Sequence, residues 1–358
     1  LAQPAPLLRS SVATIERVER TREEVMALID RVGNTSPDWF ESTPLNYPRS
    51  LDLSWPNVPE PVNKNWDSRK HVGHYVWEVI NPNLSRWRDG IRFLHHVMEV
   101  NENNRGAQVK AMNQLGALYA SLLQDWPRAA FWWKKAGRGT SGGMGQGGFR
   151  VGYEVGLAKC YWRLGNKQMA VEQLNKASGY SRTASGALHL WAEMGEHDKA
   201  IQLGEIAAKR SPEPFITCGD ICRHAGRYDE AMVYYRKAVN AGAMKKLARV
   251  QQTARERIDG LNAEKALDLT KTRDGTYTAS SLAYAGTLTG SVTVRDHRIT
   301  SVKVTRHSEK QYYSSLTDTP NQILQKQSVR GIDATTSATI TSEAIIVAAA
   351  KALMEGAR

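Results

Sequence analysis

Four alanines set the frame of this chain: when Ala129, Ala170, Ala200 and Ala231 are aligned, their neighbours fall into a common register. Trp133, Leu174 and Tyr235 stand four residues further on, and Ala136, Ala177, Ala207 and Ala238 stand seven further on. Gly165, Gly195 and Gly226 precede the last three alanines by five residues, and Tyr161, Trp191 and Cys222 precede them by nine. Small residues recurring on one helix face let paired helices approach closely, and a glycine ends the first helix of each pair. The bulky residues then fill the gap between pairs. One such pair cannot bury its apolar face alone, so the units must stack. The middle of the chain is therefore expected to be an all-α helical-repeat solenoid.

Residues 219–238, GDICRHAGRYDEAMVYYRKA, and 157–177, LAKCYWRLGNKQMAVEQLNKA, resemble the tetratricopeptide repeat. The earlier Leu115-Gly116-Ala117-Leu118-Tyr119 with Ala129, Trp133 and Ala136 fits less regularly and is also similar to the Sel1-type repeat. The intervals of 41, 30 and 31 residues depart from the usual period of about 34. The long first interval holds residues 137–152, GRGTSGGMGQGGFRVG, expected to form a flexible loop. It has neither a GKS or GKT ending nor a preceding strand, which argues against a phosphate loop. The resemblance implies a scaffold whose grooves take up segments of partner proteins.

Upstream of the repeats, residues 11–32 are expected to be helical, and residues 74–80 and 87–100 to form a helical pair. Between them, residues 36–67 carry too much proline for helix. That segment is expected to wrap the scaffold, anchored by Trp39, Trp55 and Trp66. Cys218 and Cys222 have the look of a metal or redox pair, yet the register puts both at core positions, where cysteine behaves as a small apolar residue. With Cys160 they make three cysteines, which is no disulfide framework. The adjacent His95 and His96 lie on a helical stretch with no ligand partner at a suitable spacing and read as structural. The opening Leu1-Ala2-Gln3-Pro4-Ala5-Pro6 reads like the stub left by signal-peptide removal, although a chain trimmed there for another reason would look the same. The expected location is therefore the periplasm or cell envelope.

The net charge of +12 raises the question of nucleic acid, and its distribution answers it. From residue 267 onward there are 11 Lys+Arg against 8 Asp+Glu, and upstream 37 against 28, with no run of like charge. The most basic stretch, around Lys245, Lys246, Arg249, Arg255 and Arg257, is interrupted by Glu256. A solvated basic face is the simpler reading, so no nucleic-acid partner is expected; acidic proteins or anionic lipid heads would suit it better. The longest near-apolar run, residues 344–354, is about half of what a membrane-spanning helix needs.

Near residue 265 the architecture changes. All ten tryptophans lie upstream, and β-branched residues crowd the end. A polar helix over 243–267 is expected to cap the solenoid. Asp274-Gly275-Thr276-Tyr277-Thr278 opens a turn and strand. Residues 291–295 and 299–305 alternate with period two about Asp296-His297-Arg298, which is a hairpin pattern. A short helix around 322–326, a Ser/Thr-rich loop over 333–342 and a last helix over 343–355 complete an α+β order. The domains are thus expected at 1–105 (helical extension with the Pro/Trp-rich segment), 106–266 (repeats and capping helix) and 267–358 (small α+β domain).

The loop Asp333-Ala334-Thr335-Thr336-Ser337-Ala338-Thr339-Ile340-Thr341-Ser342 holds six hydroxyls in ten residues. Read from residues alone, it is either a polar turn N-capped by Thr341 or Ser342, or an anion site using the free N–H groups and positive dipole end of the next helix. The segment is also similar to the D-x-x-[ST]-G-A-T-x-T-S motif of the FMN-binding domain found in the G and C subunits of the Rnf and Na⁺-translocating NADH:quinone reductase complexes. Asp274-Gly275-Thr276-Tyr277, the Asp296 hairpin, Gln327-Ser328 and Ile332-Asp333 resemble further parts of that domain in the same order. Ser337 stands where the motif has glycine.

This resemblance implies FMN as cofactor. It also implies phosphoester attachment at Thr339, formed when the threonine hydroxyl attacks the pyrophosphate of FAD and AMP leaves, a step catalysed by a separate Mg²⁺-dependent flavin transferase. Asp333, Thr336, Ser337, Ala338, Thr341 and Ser342 occupy the remaining motif positions. His307 and Glu309 sit where relatives carry a His-x-Glu-Thr-Pro-Gly stretch near the flavin, with Lys310 and Gln311 replacing part of it, and Tyr312 and Tyr313 could stack on the ring or fill the core. The expected function is an extracytoplasmic electron carrier docked by its repeats to redox partners, with neither a catalytic acid–base set nor a metal. Two alternatives stay open: an interaction scaffold whose last domain is empty or binds FMN without a bond, and an oxidoreductase with a pocket at the domain junction.

Overall fold

The computed structural model describes residues 18–56, 67–137, 153–242, 247–309, 314–332 and 339–357. Helix α1 (Arg22–Gly33) starts four residues inside the described chain because Thr21 caps it: Thr21 Oγ1 accepts from Glu24 N at 3.2 Å, and Thr21 N donates to Glu24 Oε2 at 2.8 Å. This reciprocal box fixes the boundary later than hydrophobic periodicity suggests. The chain then runs through the 36–56 segment, where Trp39 and Trp55 are half-buried against the helical core, as anchors should be; Trp66 lies outside the described residues. Helix α2 (Val72–Tyr75) continues as a π-helical turn, Val76–Ile80, and α3 (Trp87–Glu99) returns beside it.

Pairs of antiparallel helices follow: α4 (Arg105–Leu118) with α5 (Trp126–Ala136), α6 (Tyr153–Arg163) with α7 (Lys167–Asn175), then, after the short α8 (Gly179–Thr183), α9 (Ser185–Glu193) with α10 (His197–Ala208), and α11 (Glu213–His224) with α12 (Tyr228–Val239). The four register alanines sit on α5, α7, α10 and α12 and are all fully buried. Their glycines close the preceding helices in the left-handed region, with φ of +95° at Gly165, +85° at Gly195 and +74° at Gly226. Each closure is a Schellman turn: the next residue donates five positions back, as from Asn166 N to Tyr161 O at 2.9 Å and from Arg227 N to Cys222 O at 2.8 Å. The three cysteines are buried and unbonded within this core. Residues 138–152 of the expected loop lie outside the described residues.

Helix α13 (Leu247–Ala266) packs on α11 and α12 and also on the last domain. There, β1 (Gly275–Leu282), β2 (Thr287–Arg295) and β3 (Arg298–Arg306) form an antiparallel sheet in chain order. The two-residue turn between β2 and β3 has Asp296 at φ +50° and His297 at φ +58°, the pair of positive values that matches the twist of a hairpin. On β2, Leu288, Gly290, Val292 and Val294 alternate inward. Over them lies α15 (Thr339–Gly356), apolar from Ala344 to Ala350, with Gly290 admitting Ala348. Helix α14 (Ser314–Lys326) flanks β3 and is longer than the 322–326 expected, running through Pro320. No helix among the described residues is long and apolar enough to cross a membrane.

Candidate functional site

The small domain is tied together by the residues that carried the sequence motif. Asp274 Oδ1 accepts from Asp296 N at 2.8 Å, so the opening Asp-Gly and the hairpin turn are held as one corner. Gln327 replaces a missing strand neighbour for β3: its Oε1 accepts from Ile299 N at 2.8 Å and its Nε2 donates to Ile299 O at 2.9 Å. A side-chain amide carries a donor and an acceptor on separate atoms, so it can satisfy a backbone N–H and C=O together.

Among the described residues helix α15 runs from Thr339 rather than from residue 343, so Thr341 and Ser342 lie within the helix and are buried instead of capping it. The apolar run from Ala344 to Ala350 is buried, and the helix extends before it over residues whose hydroxyls suggested a loop. Thr339 is half-buried and Ile340 is 36% exposed. Thr341 Oγ1 donates to Glu309 Oε2 at 2.6 Å, and Ala285 N donates to Glu309 Oε1 at 2.7 Å. Glu309 is buried, so its carboxylate clamps three segments together: the β1–β2 loop, the chain leaving β3 and the start of α15. His307 is exposed just before it. Of the residues singled out by sequence, Glu309, Thr339, Thr341 and Ser342 are thereby brought to one place. Asp333, Thr336, Ser337 and Ala338 lie outside the described residues, as do Lys310, Gln311, Tyr312 and Tyr313.

These surroundings fit a phosphoester. The first-turn N–H groups of a helix have no partner within it and carry the positive end of the dipole. No acidic side chain stands in the first turn of α15 to oppose an anion. Its first carboxylate, Glu343, has its charge matched elsewhere: Oε2 accepts from Arg223 Nη2 at 2.5 Å and Oε1 pairs with His224 Nε2 at 2.5 Å, both on α11. Burial works against this charge, but Arg223 and then His224 outweigh it and hold Glu343 well below the usual carboxylate range. Arg223 Nη1 also donates to Glu264 Oε2 at 2.9 Å, and Tyr228 Oη to Glu264 Oε1 at 3.1 Å. Behind them Arg257 Nε donates to Asp220 Oδ1 at 3.1 Å and Tyr235 Oη to the same atom at 2.8 Å. Burial, and next the charge of Glu343, push Asp220 up to about 6. Sequence reasoning missed this network. Its signal was a single charged residue between Thr339 and Ala350 of an otherwise uncharged stretch.

Among the described residues no group of three or more His, Cys, Asp or Glu side chains could hold a metal ion. His95 is packed edge-on between Phe40 and Trp132, at ring-centre distances of 4.7 and 5.0 Å, and burial pushes it down to about 4. His96 pairs with Tyr47 Oη at 3.0 Å. Both are structural, as their spacing suggested.

Comparison with known families agrees with the geometry. Residues 283–354 match the FMN-binding domain, and residues 155–183 and 216–241 match the tetratricopeptide repeat. No curated protein gives a significant match to the chain. The family match on the last domain spans β2, β3, α14 and α15, and so includes Glu309, Thr339 and Thr341. The chain carries an FMN-binding domain joined to tetratricopeptide repeats.

Proposed function

We propose that the protein is an extracytoplasmic electron carrier whose FMN is held at Thr339 by a phosphoester bond, and whose repeats dock it to redox partner proteins. The observation that carries this reading is the position of Thr339 in the first described turn of α15, which holds no acidic side chain of its own. FMN supplies one- and two-electron chemistry when bound. The chain's part is to hold the phosphate end, to keep Glu309 and Thr341 locked beneath it, and to leave the ring end accessible.

Attachment forms a bond between Thr339 Oγ1 and the phosphate of the FMN half of FAD and releases AMP, with a flavin transferase supplying the catalysis. A covalent tether suits a carrier because retention no longer depends on affinity. The exported location follows from the compartment in which such transferases act. Asp333, Thr336, Ser337 and Ala338 are assigned to transferase recognition or phosphate contact by their motif positions, Ser342 to the same helix opening, and His307 to the rim near the ring.

The test is co-expression with a flavin transferase followed by intact mass measurement. A mass increase of one flavin phosphoester, absent in Thr339→Ala, is the expected result. A yellow protein of unchanged mass would replace the bond with non-covalent FMN, and a colourless one would leave only the interaction scaffold.

A further inference from the structure

The buried charges at the domain junction follow the repeat register. Lys159 and Arg163 on α6 lie eleven and seven residues before Ala170; His189 and Glu193 on α9 hold the same places before Ala200, and Asp220 and His224 on α11 before Ala231. From α6 to α9 the stripe is paired across the repeats. Lys159 Nζ meets Glu193 Oε1 at 2.6 Å, and Arg163 Nη2 meets Glu193 Oε2 at 3.4 Å. For the last repeat, the carboxylate that Glu193 supplies to its predecessor comes from Glu343 of the flavin domain, which pairs with Arg223 and His224. In charge terms α15 stands in for the next repeat.

Helix geometry ties this contact to Thr339. At about 100° per residue, Glu343 lies within about 40° of Thr339 around α15 and one turn below it, whereas Thr341 lies about 160° from both. Thr341 faces Glu309 on the domain's own side. Thr339 therefore lies on the face of α15 that Glu343 presents to α11.

A buried carboxylate bonded to an arginine and a histidine is a poor choice for stability alone, since apolar residues of similar volume serve as well or better. It is a good choice for fixing one orientation, because a shifted helix would leave all three groups unpaired. We propose that Arg223 and His224 are positioning residues of the flavin site: through Glu343 they fix the opening turn of α15, so that the flavin is held between the two domains rather than on the small domain alone. This rests on the reading that FMN is held at Thr339.

The experiment compares the full chain with Glu343→Gln, His224→Gln and Arg223→Lys, each titrated with free FMN and each loaded by a flavin transferase for measurement of visible circular dichroism and midpoint potential. Glu343→Gln and His224→Gln are expected to bind FMN about tenfold more weakly, the scale of one lost charge-assisted hydrogen bond, and to alter the visible dichroism and potential. Arg223→Lys, which keeps the charge, is expected to fall between them and the parent. Should Glu343→Gln fail to fold, His224→Gln decides, because this side chain is 22% exposed and glutamine keeps a donor. Unchanged affinity, dichroism and potential in folded His224→Gln would overturn the inference while leaving the flavin reading intact. Failure of the parent chain itself to take up FMN by either route would overturn that reading, and this inference with it.

Discussion

Trp133 is held between two glycines, and this arrangement gives a prediction whose sign depends on the background. A Cβ added at Gly116 on α4 would stand 2.6 Å from Trp133 Nε1, and one added at Gly156 on α6 would stand 2.7 Å from Cη2. In an open helix, Gly→Ala stabilises by about 1 kcal/mol. Here the indole is 5% exposed and closed in on both sides, so it cannot retreat. Overpacking of a rigid ring costs about 1–3 kcal/mol, and with the propensity gain subtracted Gly156→Ala is expected to destabilise the repeats by about 1 kcal/mol. Trp133→Leu installs the residue found at the matching position, Leu174. In that background the ring is gone, and Gly156→Ala is expected to stabilise by up to about 1 kcal/mol. Urea unfolding followed by far-ultraviolet circular dichroism measures both differences as midpoint shifts at constant slope. The same sign in both backgrounds would refute the account, since it would mean that the glycine serves something other than clearance for the indole.

Thr341→Val removes the 2.6 Å hydrogen bond to buried Glu309 and is expected to cost about 1–3 kcal/mol in thermal unfolding; Thr341→Ser should restore most of it. Arg257→Met strips buried Asp220 of a cation and is expected to cost about 3–5 kcal/mol near neutral pH. Without Arg257 to hold it down, Asp220 takes up its proton at higher pH in the variant than in the parent, so that cost should shrink as pH falls toward about 6 and level off below it, and chemical denaturation across pH reads the trend. His95 is neutral when folded, its value lowered to about 4 by burial, so its contribution is complete above the unfolded value and is lost as pH falls from about 6.5 toward 4. His95→Phe is accordingly expected to be less acid-sensitive than the parent by about 3 kcal/mol over that window, as measured by urea midpoints, and equal sensitivity would argue against a buried neutral imidazole.

Much of the architecture was legible because it is local. The register of alanines and glycines states where helices pair and where they stop, and the glycine φ values follow from a turn that side chains disfavour. Alternation along residues 291–295 states that β2 buries one face, and the burial continues in the same phase back to Leu288. The start of α15 was not legible, since hydroxyl-rich residues suit a loop or a helix equally until the apolar residues after them pack on the sheet. The start of α1 was set by Thr21 and Glu24, whose reciprocal bonds are readable only once the end is located.

The FMN-binding domain, with Thr339 inside it, could be read from the order of its motifs alone, because those motifs lie close together along the chain. The setting of Thr339 could not. Glu343 is separated from His224 by 119 residues and from Arg223 by 120, and nothing in their spacing announces that they meet. A buried ion pair is chosen by the close approach of two helices in a medium that tolerates no unmatched charge. That approach exists only after the repeats have stacked and α15 has settled on its sheet.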